Sequence, residues 1–377
     1  MPRRSPAPRC WAIVAGGGTA GHVLPGLAVA GVLANRGHPA ESIHFVGSAR
    51  GLEARLVPEA GFPVTLLPGR GIQRRLTLDN IGAVWGLLRA FWRGIGLVRG
   101  MRPAVVLTLG GYASLACVLG AWLWRVPVVV TEQNARAGAA NRLAGRIARA
   151  CAVPFDETDL PRKVVTGNPV RPEVLSVDRV AGRRAARAEL GVDADRTMVA
   201  VVTGSLGSRR VNEAVVAALS EWADRTDVAI RHVIGTRDFD RDRPAPALPE
   251  EGLAYERVRY EDRMDLVLTA ADLLIGRSGG TTVAELAEVG LASVLVPLPG
   301  APRDHQTANA GPLARAGGAI LVPDADLDGD RLLAEVTPLL DDPARLAAMG
   351  AAAHTLARPD AADRVADFVE EHARRAR

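Results

Sequence analysis

Residues 11–30 read WAIVAGGGTAGHVLPGLAVA, and the first half of the chain is organised around this stretch. Ile13 and Val14 lead an apolar run short enough to be a buried strand, four glycines follow, and apolar residues then recur at helical spacing. The pattern predicts a strand, a glycine turn and a helix. Amide N–H groups at the start of such a helix favour an anion, most often a phosphate.

The spacing Gly-x-Gly-x-x-Gly over residues 16–21 formally matches the dinucleotide fingerprint. An NAD site also needs an acidic residue at the end of the second strand. The second strand, predicted at 42–46, runs into a glycine and a serine, and the first acid beyond it is Glu53 in the next helix. The residues therefore disfavour NAD. The loop carries His22 instead, which can act as a general base, bind an anion or only cap the helix.

Composition limits the class of protein. The chain has 377 residues, of which 48% are apolar, so it is globular and long enough for two or more domains. The net charge of +4 is a modest excess, and we expect no nucleic-acid partner. Three distant cysteines give no disulfide framework and no zinc spacing, which fits a reducing cytoplasm. Residues 113–130 are predicted to form a buried helix and then a buried strand, too interrupted to span a bilayer.

Two further polar clusters follow predicted strands of the first half. Gly110–Ser114 follows a strand at 105–109, and Glu132–Asn134 lies at the carboxyl end of a strand at 126–131. Ligands of open parallel sheets bind outside the carboxyl ends of the strands. We therefore expect these clusters to converge with the opening loop, Gly16–His22, on one crevice.

A basic loop at 69–76 leads into a predicted amphipathic helix with tryptophans on its apolar face. A basic rim beside an aromatic face suits an anionic membrane surface. A core helix with arginines pointing to solvent explains the same pattern. The residues concerned are Arg74, Arg75, Ile81, Trp85, Leu88 and Trp92.

The second half repeats the plan of the first. A strand at 198–203 runs into Gly204–Ser208, and a strand at 272–275 runs into Arg277–Glu285. The repeat predicts two doubly wound α/β domains. Residues 278–282 can present N–H and O–H donors to a diphosphate at a helix start, and Glu285 can accept both hydroxyls of a ribose.

Six motifs, in the right order, resemble the MurG family of GT-B glycosyltransferases. They are Gly16–Gly26, Gly110–Ser114, Glu132–Asn134, Gly167–Arg171, Arg277–Glu285 and Asp304–Ala310. The resemblance runs from about residue 11 to 370. It implies two Rossmann-like domains facing a cleft, with a C-terminal helix returning to the first. The expected divisions are a disordered start (1–10), an acceptor and membrane-binding domain (11–170), a UDP-GlcNAc-binding domain (171–354) and the returning helix (355–377).

The resemblance also implies a reaction. GlcNAc moves from UDP-GlcNAc to the C4 hydroxyl of MurNAc in undecaprenyl-pyrophosphoryl-MurNAc-pentapeptide, which converts lipid I to lipid II with inversion at the anomeric carbon. No cofactor and no catalytic metal are implied. The enzyme would be peripheral, on the anionic inner leaflet at the cytoplasmic face of the cell membrane, with a cell-wall synthesis complex as a further expected partner.

Site residues follow from the same resemblance. His22 is the first candidate for the base that activates the acceptor hydroxyl, Glu132 competes with it, and Asn134 orients the sugar. The acceptor pyrophosphate is expected at Gly17, Gly18, Gly110, Gly111 and Tyr112. UDP-GlcNAc is expected at Thr19, Ala20, Gly21, Asn134, Arg171, Ser205, Glu261, Gly280, Thr281, Thr282, Glu285, His305 and Gln306. The membrane patch is expected at the loop and helix residues named above.

Two departures from the family pattern bear on the donor. Thr131 stands where the family often has His, and Leu206 stands where it often has Gln. They leave a related enzyme with a different donor open. Beside the reaction that the resemblance implies, three alternatives stay open: a GT-B enzyme for another lipid or natural product, a UDP-GlcNAc 2-epimerase that needs no acceptor, and a non-catalytic membrane-binding protein.

Overall fold

The computed structural model describes residues 10–49, 51–68, 79–241 and 246–374, with only the backbone described for 79–88. The chain divides into two compact units. One contains the chain up to Arg171 together with the segment from Pro359, and the other is Pro172–Arg358.

The first unit contains a parallel sheet of seven strands in the order β3-β2-β1-β4-β5-β6-β7. Its strands are β1 (Ala12–Gly16), β2 (Ile43–Ser48), β3 (Val64–Leu67), β4 (Val105–Gly110), β5 (Val128–Thr131), β6 (Ala150–Val153) and β7 (Lys163–Val165). Its first five helices are α1 (Ala20–Asn35), α2 (Glu53–Glu59), α3 (Asp79–Met101), α4 (Tyr112–Leu123) and α5 (Ala139–Gly145). The central strands are buried on both faces because helices cover both, which is why they read as continuous apolar runs.

The second unit contains six parallel strands in the order β10-β9-β8-β11-β12-β13. They are β8 (Thr197–Val202), β9 (Val228–Val233), β10 (Ala254–Val258), β11 (Leu273–Gly276), β12 (Ala292–Leu295) and β13 (Ala319–Leu321). The helices are α6 (Pro172–Leu175), α7 (Arg179–Glu189), α8 (Arg209–Ala218), α9 (Met264–Ala270), α10 (Gly280–Val289), α11 (His305–Ala316), α12 (Gly329–Leu340) and α13 (Pro343–His354). This strand order is that of a dinucleotide-binding sheet, so the predicted repeat of two doubly wound domains is confirmed.

The last helix, α14 (Ala361–His372), packs on α1 in the first unit. Its apolar face is buried in the same core as β1, and Arg36, directly after α1, bonds three carboxylates of its polar face. Those carboxylates belong to Asp363, Asp367 and Glu370. The predicted return of a C-terminal helix to the first domain is therefore confirmed.

Several elements differ from the sequence prediction. Strands β6, β7, β10 and β13 were not predicted, and the helical segment at 172–189 is broken into two helices, α6 and α7. The break has a local cause, because the Asp178 side chain accepts the N–H groups of Val180 and Ala181 and so starts a new helix. The expectation of a fully buried helix after residue 113 is wrong for the end of α4, where Trp122 and Leu123 are exposed.

Candidate active site

Two helices of the first unit begin at the same edge of the sheet. Strands β1 and β4 are neighbours, and their carboxyl ends lead into α1 and α4 through glycine turns. The turns touch, since a Cβ on Gly111 would lie 3.1 Å from the Gly17 carbonyl oxygen, and Gly111 also has a φ of +85°. The backbone bonds of α1 start with the N–H groups of His22 and Val23, both donated to Thr19, so the amides of Ala20 and Gly21 precede them. Two helix starts without a side-chain cap lie side by side here, and such starts concentrate the amide donors and partial positive charge that favour an anion.

His22 lies in the first turn of α1. Its Nδ1 is 3.2 Å from the Thr19 hydroxyl oxygen. If Nδ1 carries the proton and donates to that oxygen, Nε2 is the basic nitrogen of the ring. The contact with Thr19 is compatible with the tautomer that a general base requires.

Glu132 is buried at the end of β5, and both of its oxygens accept hydrogen bonds. Oε1 accepts from the N–H groups of Gln133 and Asn134 and from the Asn134 side chain, and Oε2 accepts from Gly138 N–H and the Asn141 side chain. A carboxylate that binds five donors fixes the turn around it and has no vacant face for a substrate proton. The geometry favours a positioning role for Glu132 over the role of base.

Asn141 connects this turn to the glycine turn of β4. Its Nδ2 donates to Thr131 O at 3.2 Å and to Glu132 at 3.0 Å, and its side chain lies within 3.5 Å of the Cβ position of Gly110. The ends of β1, β4 and β5 are therefore joined by direct contacts. The expectation that the three polar clusters of the first half converge is confirmed.

Two residues expected at the acceptor pyrophosphate have partners inside the protein. The Gly18 N–H donates to Glu53 Oε1 at 2.7 Å, and the Tyr112 hydroxyl donates to Ser48 Oγ at 3.0 Å. The Tyr112 hydroxyl therefore braces α4 against β2, and the Gly18 amide already holds a carboxylate. Glu53 was absent from the predicted site because the sequence gives no sign that its side chain is buried.

In the second unit, α10 begins at Gly280 after the β11 turn. Its first backbone bond comes from Val283 to Gly279, so the amides of Gly280, Thr281 and Thr282 precede it. The Ser278 hydroxyl donates to the Gln306 carbonyl at 2.8 Å, and Ser278 is fully buried. The donors for an anion at this helix start are consequently backbone and threonine groups, and the expected contribution of the Ser278 hydroxyl is wrong.

Arg277 fixes the position of this helix start. Its guanidinium donates to the carbonyls of Val296 and Pro297, pairs with Asp324 at 2.6 Å and reaches Ser208 Oγ at 2.5 Å. The Ser208 contact joins the β11 turn to the loop at 204–208, which contains Ser205 and the exposed Leu206. The half-buried Arg277 thus braces two loops of the second unit that could hold a diphosphate.

The start of α11 carries His305 and Gln306. The His305 Nδ1 donates to Pro302 O at 3.0 Å, which leaves Nε2 as an acceptor, and the Gln306 Oε1 accepts the Leu298 N–H at 2.9 Å, which leaves the amide nitrogen as a donor. Arg303 and Asp304, just before the helix, both have left-handed φ values near +50°. Strained backbone of this kind is concentrated at ligand sites.

The remaining predicted donor residues lie as follows. Glu261 Oε2 accepts two bonds from Arg231 and its Oε1 accepts the Arg263 N–H, so its side chain holds the loop and only its backbone is left for a ligand. Glu285 is half-buried in the second turn of α10. Thr19, Ala20, Gly21, Asn134 and Arg171 belong to the first unit, the other donor residues to the second.

The predicted membrane patch is described only in part. Arg74 and Arg75 lie outside the described residues, as do the side chains of Ile81, Trp85 and Leu88. Trp92 is 73% exposed on α3. Sequence reasoning missed further exposed apolar side chains on the neighbouring helices α4 and α5 and directly after α5, namely Leu119, Trp122, Leu123, Leu143 and Ile147.

The described part of the chain offers neither a metal-binding cluster nor a membrane-spanning helix. No cluster of three or more His, Cys, Asp or Glu side chains there could hold a metal ion. None of the helices described is long and apolar enough to cross a bilayer.

Comparisons with known proteins agree with this geometry. Residues 12–153 match the glycosyltransferase family 28 N-terminal domain, and residues 198–365 match the family 28 C-terminal domain. Two curated relatives carry the name UDP-N-acetylglucosamine–N-acetylmuramyl-(pentapeptide) pyrophosphoryl-undecaprenol N-acetylglucosamine transferase. The one from Nocardioides sp. is 43% identical over 95% of this chain and 97% of its own length. The one from Acidothermus cellulolyticus is 44% identical over 96% of this chain and 97% of its own length.

Solved structures give the same result. MurG from Acinetobacter baumannii superposes with a TM-score of 0.74 at 28% identity, covering 96% of this chain and 99% of that one. A UDP-GlcNAc 2-epimerase from Neisseria meningitidis, bound to UDP-GlcNAc, superposes with a TM-score of 0.68 at 13% identity. The match covers 96% of this chain and 99% of that one. The second likeness shows a shared fold and no more.

Proposed function

This chain belongs to glycosyltransferase family 28 and, within it, to the MurG transferases, and from that premise we propose how its residues divide the reaction. The enzyme transfers N-acetylglucosamine from UDP-GlcNAc to N-acetylmuramyl-(pentapeptide) pyrophosphoryl-undecaprenol. The observation that carries this conclusion is the 43% identity, over 95% of the chain, to the Nocardioides relative that is named for this transfer.

We assign the acceptor to the first unit. The diphosphate of the lipid binds the first-turn amides of α1 and α4, where two helix starts concentrate positive charge. His22 Nε2 removes the proton of the MurNAc C4 hydroxyl as that oxygen bonds to C1 of GlcNAc. The turn around Glu132 holds Asn134 in place to orient the acceptor sugar.

We assign the donor's diphosphate to the second unit. As the bond between C1 and the diphosphate oxygen breaks, the electron pair leaves with UDP, and the anomeric configuration inverts. The amides of Gly280, Thr281 and Thr282 stabilise the developing charge, because they are fixed donors at a helix start. Glu285 accepts the ribose hydroxyls, the backbone around Glu261 meets the uracil, and His305 Nε2 and the Gln306 amide contact the GlcNAc.

We also propose that the enzyme docks on the cytoplasmic face of the membrane through α3, α4 and α5. Trp92 and Trp122 are 73% and 59% exposed, and the exposed arginines Arg93, Arg142 and Arg146 lie on or directly after α3 and α5. Exposed tryptophans among cations suit an anionic lipid surface. The acceptor lipid is anchored in that surface, so docking there brings the enzyme to its acceptor. A wider cell-wall synthesis complex stays a prediction.

The test is UDP release from UDP-GlcNAc with and without a short-chain lipid I analogue, with mass analysis of the products. We expect UDP release that depends on the analogue and a product heavier by one GlcNAc. Formation of the 2-epimer without any acceptor would instead indicate an epimerase. Transfer to other lipids with no turnover of the analogue would indicate a related glycosyltransferase.

A further inference from the structure

Glu53, the first residue of α2, is a buried carboxylate whose position no part of the reaction above explains. Its side chain is 2% exposed. Oε1 accepts the N–H groups of Gly18 at 2.7 Å and Ser48 at 3.1 Å, and Oε2 is buried without a hydrogen-bond partner. Among the residues that the structure describes, no arginine, lysine or histidine pairs with it. Burying a carboxylate in this way is costly, so a compensating role is expected.

The backbone around Glu53 is shaped to hold it. A Cβ at Gly17, Gly47 or Gly51 would come within 1.4, 2.8 or 1.8 Å of the Glu53 side chain. Three separate glycines thus leave the volume that the carboxylate fills. The first of them belongs to the turn that precedes α1, so the carboxylate lies directly against the loop assigned to the acceptor.

The same contacts link Glu53 to both acceptor loops. Ser48, whose N–H binds Oε1, accepts the Tyr112 hydroxyl through its side chain at 3.0 Å, and Tyr112 is the first residue of α4. Gly18 is followed by Thr19, which contacts the ring of His22. One carboxylate therefore fixes the starts of α1 and α4 together.

We propose that Glu53 is a positioning residue that excludes the acceptor diphosphate from the Gly17–Gly18 turn and keeps it on the first-turn amides of α1 and α4. This inference rests on the proposed function. The charge of Glu53 occupies the Gly18 amide and repels a second anion there. The diphosphate is consequently held two residues further along, beside His22.

The discriminating variant is Glu53→Gln. The glutamine carbonyl can still accept both amides, so the turn keeps its shape and only the charge is lost. We expect the variant to have a kcat at least about tenfold lower than the unchanged enzyme and a lower KM for the lipid I analogue. Inorganic pyrophosphate should compete with that analogue and inhibit the variant at about tenfold lower concentration. A unit charge this close changes the affinity for an anion by at least that factor. The KM for UDP-GlcNAc and inhibition by UDP should not change.

A structural role alone would not move pyrophosphate inhibition, so this readout separates the two explanations. Glu59→Gln, on the exposed end of the same helix, is the matched control and should behave as the unchanged protein. Equal kcat and equal pyrophosphate inhibition in Glu53→Gln and the unchanged enzyme would overturn the proposal. Glu53→Ala, which also opens the turn, should lose more activity; if it does not fold, the glutamine variant still decides. Failure of the unchanged enzyme to glycosylate the analogue would instead refute the proposed function.

Discussion

The two candidate bases, His22 and Glu132, differ in what surrounds them. Glu132 binds five donors, whereas His22 contacts the Thr19 hydroxyl through Nδ1 and directs Nε2 elsewhere. His22→Ala should lower kcat about 100-fold or more with an unchanged melting temperature, because only proton transfer is lost. Steady-state kinetics and thermal unfolding on the same preparation check this. Near-normal turnover would remove His22 from the role of base.

Glu132→Ala, unlike His22→Ala, should lower the stability of the protein. It leaves buried N–H groups without an acceptor, which costs about 3 kcal/mol or more and lowers the melting temperature of the first unit by roughly 6 °C or more. The activity loss should follow from the disturbed turn. A variant that unfolds like the unchanged protein but has lost turnover would restore Glu132 as a candidate base.

Glu285 tests the donor site. If its carboxylate binds the ribose, Glu285→Ala should raise the KM for UDP-GlcNAc about tenfold or more, since a lost hydrogen bond to a charged group is worth roughly 1.5–3 kcal/mol. The KM for the lipid I analogue serves as the internal control and should stay constant. An unchanged donor KM would exclude the ribose contact.

At the scale of single elements, the electrostatic part of the proposed membrane docking can be tested separately from its apolar part. Charge reversal at Arg74 and Arg75 should weaken binding to anionic vesicles, and the binding that remains should fall further with salt, because exposed charges are screened. Vesicle co-sedimentation at low and high ionic strength measures this. Arg345→Glu, at an exposed position of the second unit, is the control. Binding that is equal in low and high salt would contradict electrostatic docking.

The elements also show which features a sequence can reveal. The strand, turn and helix around Gly16–His22 were predictable because glycines and apolar spacing act locally. The burial of Glu53 was not, since it depends on three glycines from two distant segments. The exposure of Trp122 was hidden for a similar reason: an apolar run from 113 to 130 does not show which side chains its neighbours leave uncovered. Short strands such as β6 and β10 are set by pairing with adjacent strands, which no local pattern records.

At the scale of the whole molecule, the topology was readable because the second half repeats the first. Both sheets place a central strand, β1 or β8, next to the strand that carries the second glycine turn, β4 or β11. The pairing of these neighbours brings the turns that follow them together in each unit, and no long-range pattern in the sequence records it. Loop contacts such as Arg277 with Ser208 then depend on side chains that only the fold brings together.

The stability of the second unit should depend on pH through the buried His232. His232 lies fully buried in β9, between Asn212 and the Tyr255 hydroxyl, at 2.9 Å from each. Burial, assisted by the charge of Arg257, lowers the pKa of His232 to about 3. The unfolded chain takes up a proton near pH 6.5, whereas the folded chain does not, so the free energy of unfolding should fall as the pH drops below that value.

Between about pH 6.5 and pH 5 this difference amounts to roughly 2 kcal/mol, and the loss continues until the folded pKa is reached. Calorimetric unfolding at several pH values should therefore show the transition of the second unit moving to lower temperature in acid. His232→Gln removes the proton uptake, so its transition should start from a lower stability but shift less with pH. His305→Gln, with a ring that is partly exposed, should keep the full acid dependence. If both variants shift with pH as the unchanged protein does, the acid sensitivity arises from other groups and the neutral state of the buried ring does not control it.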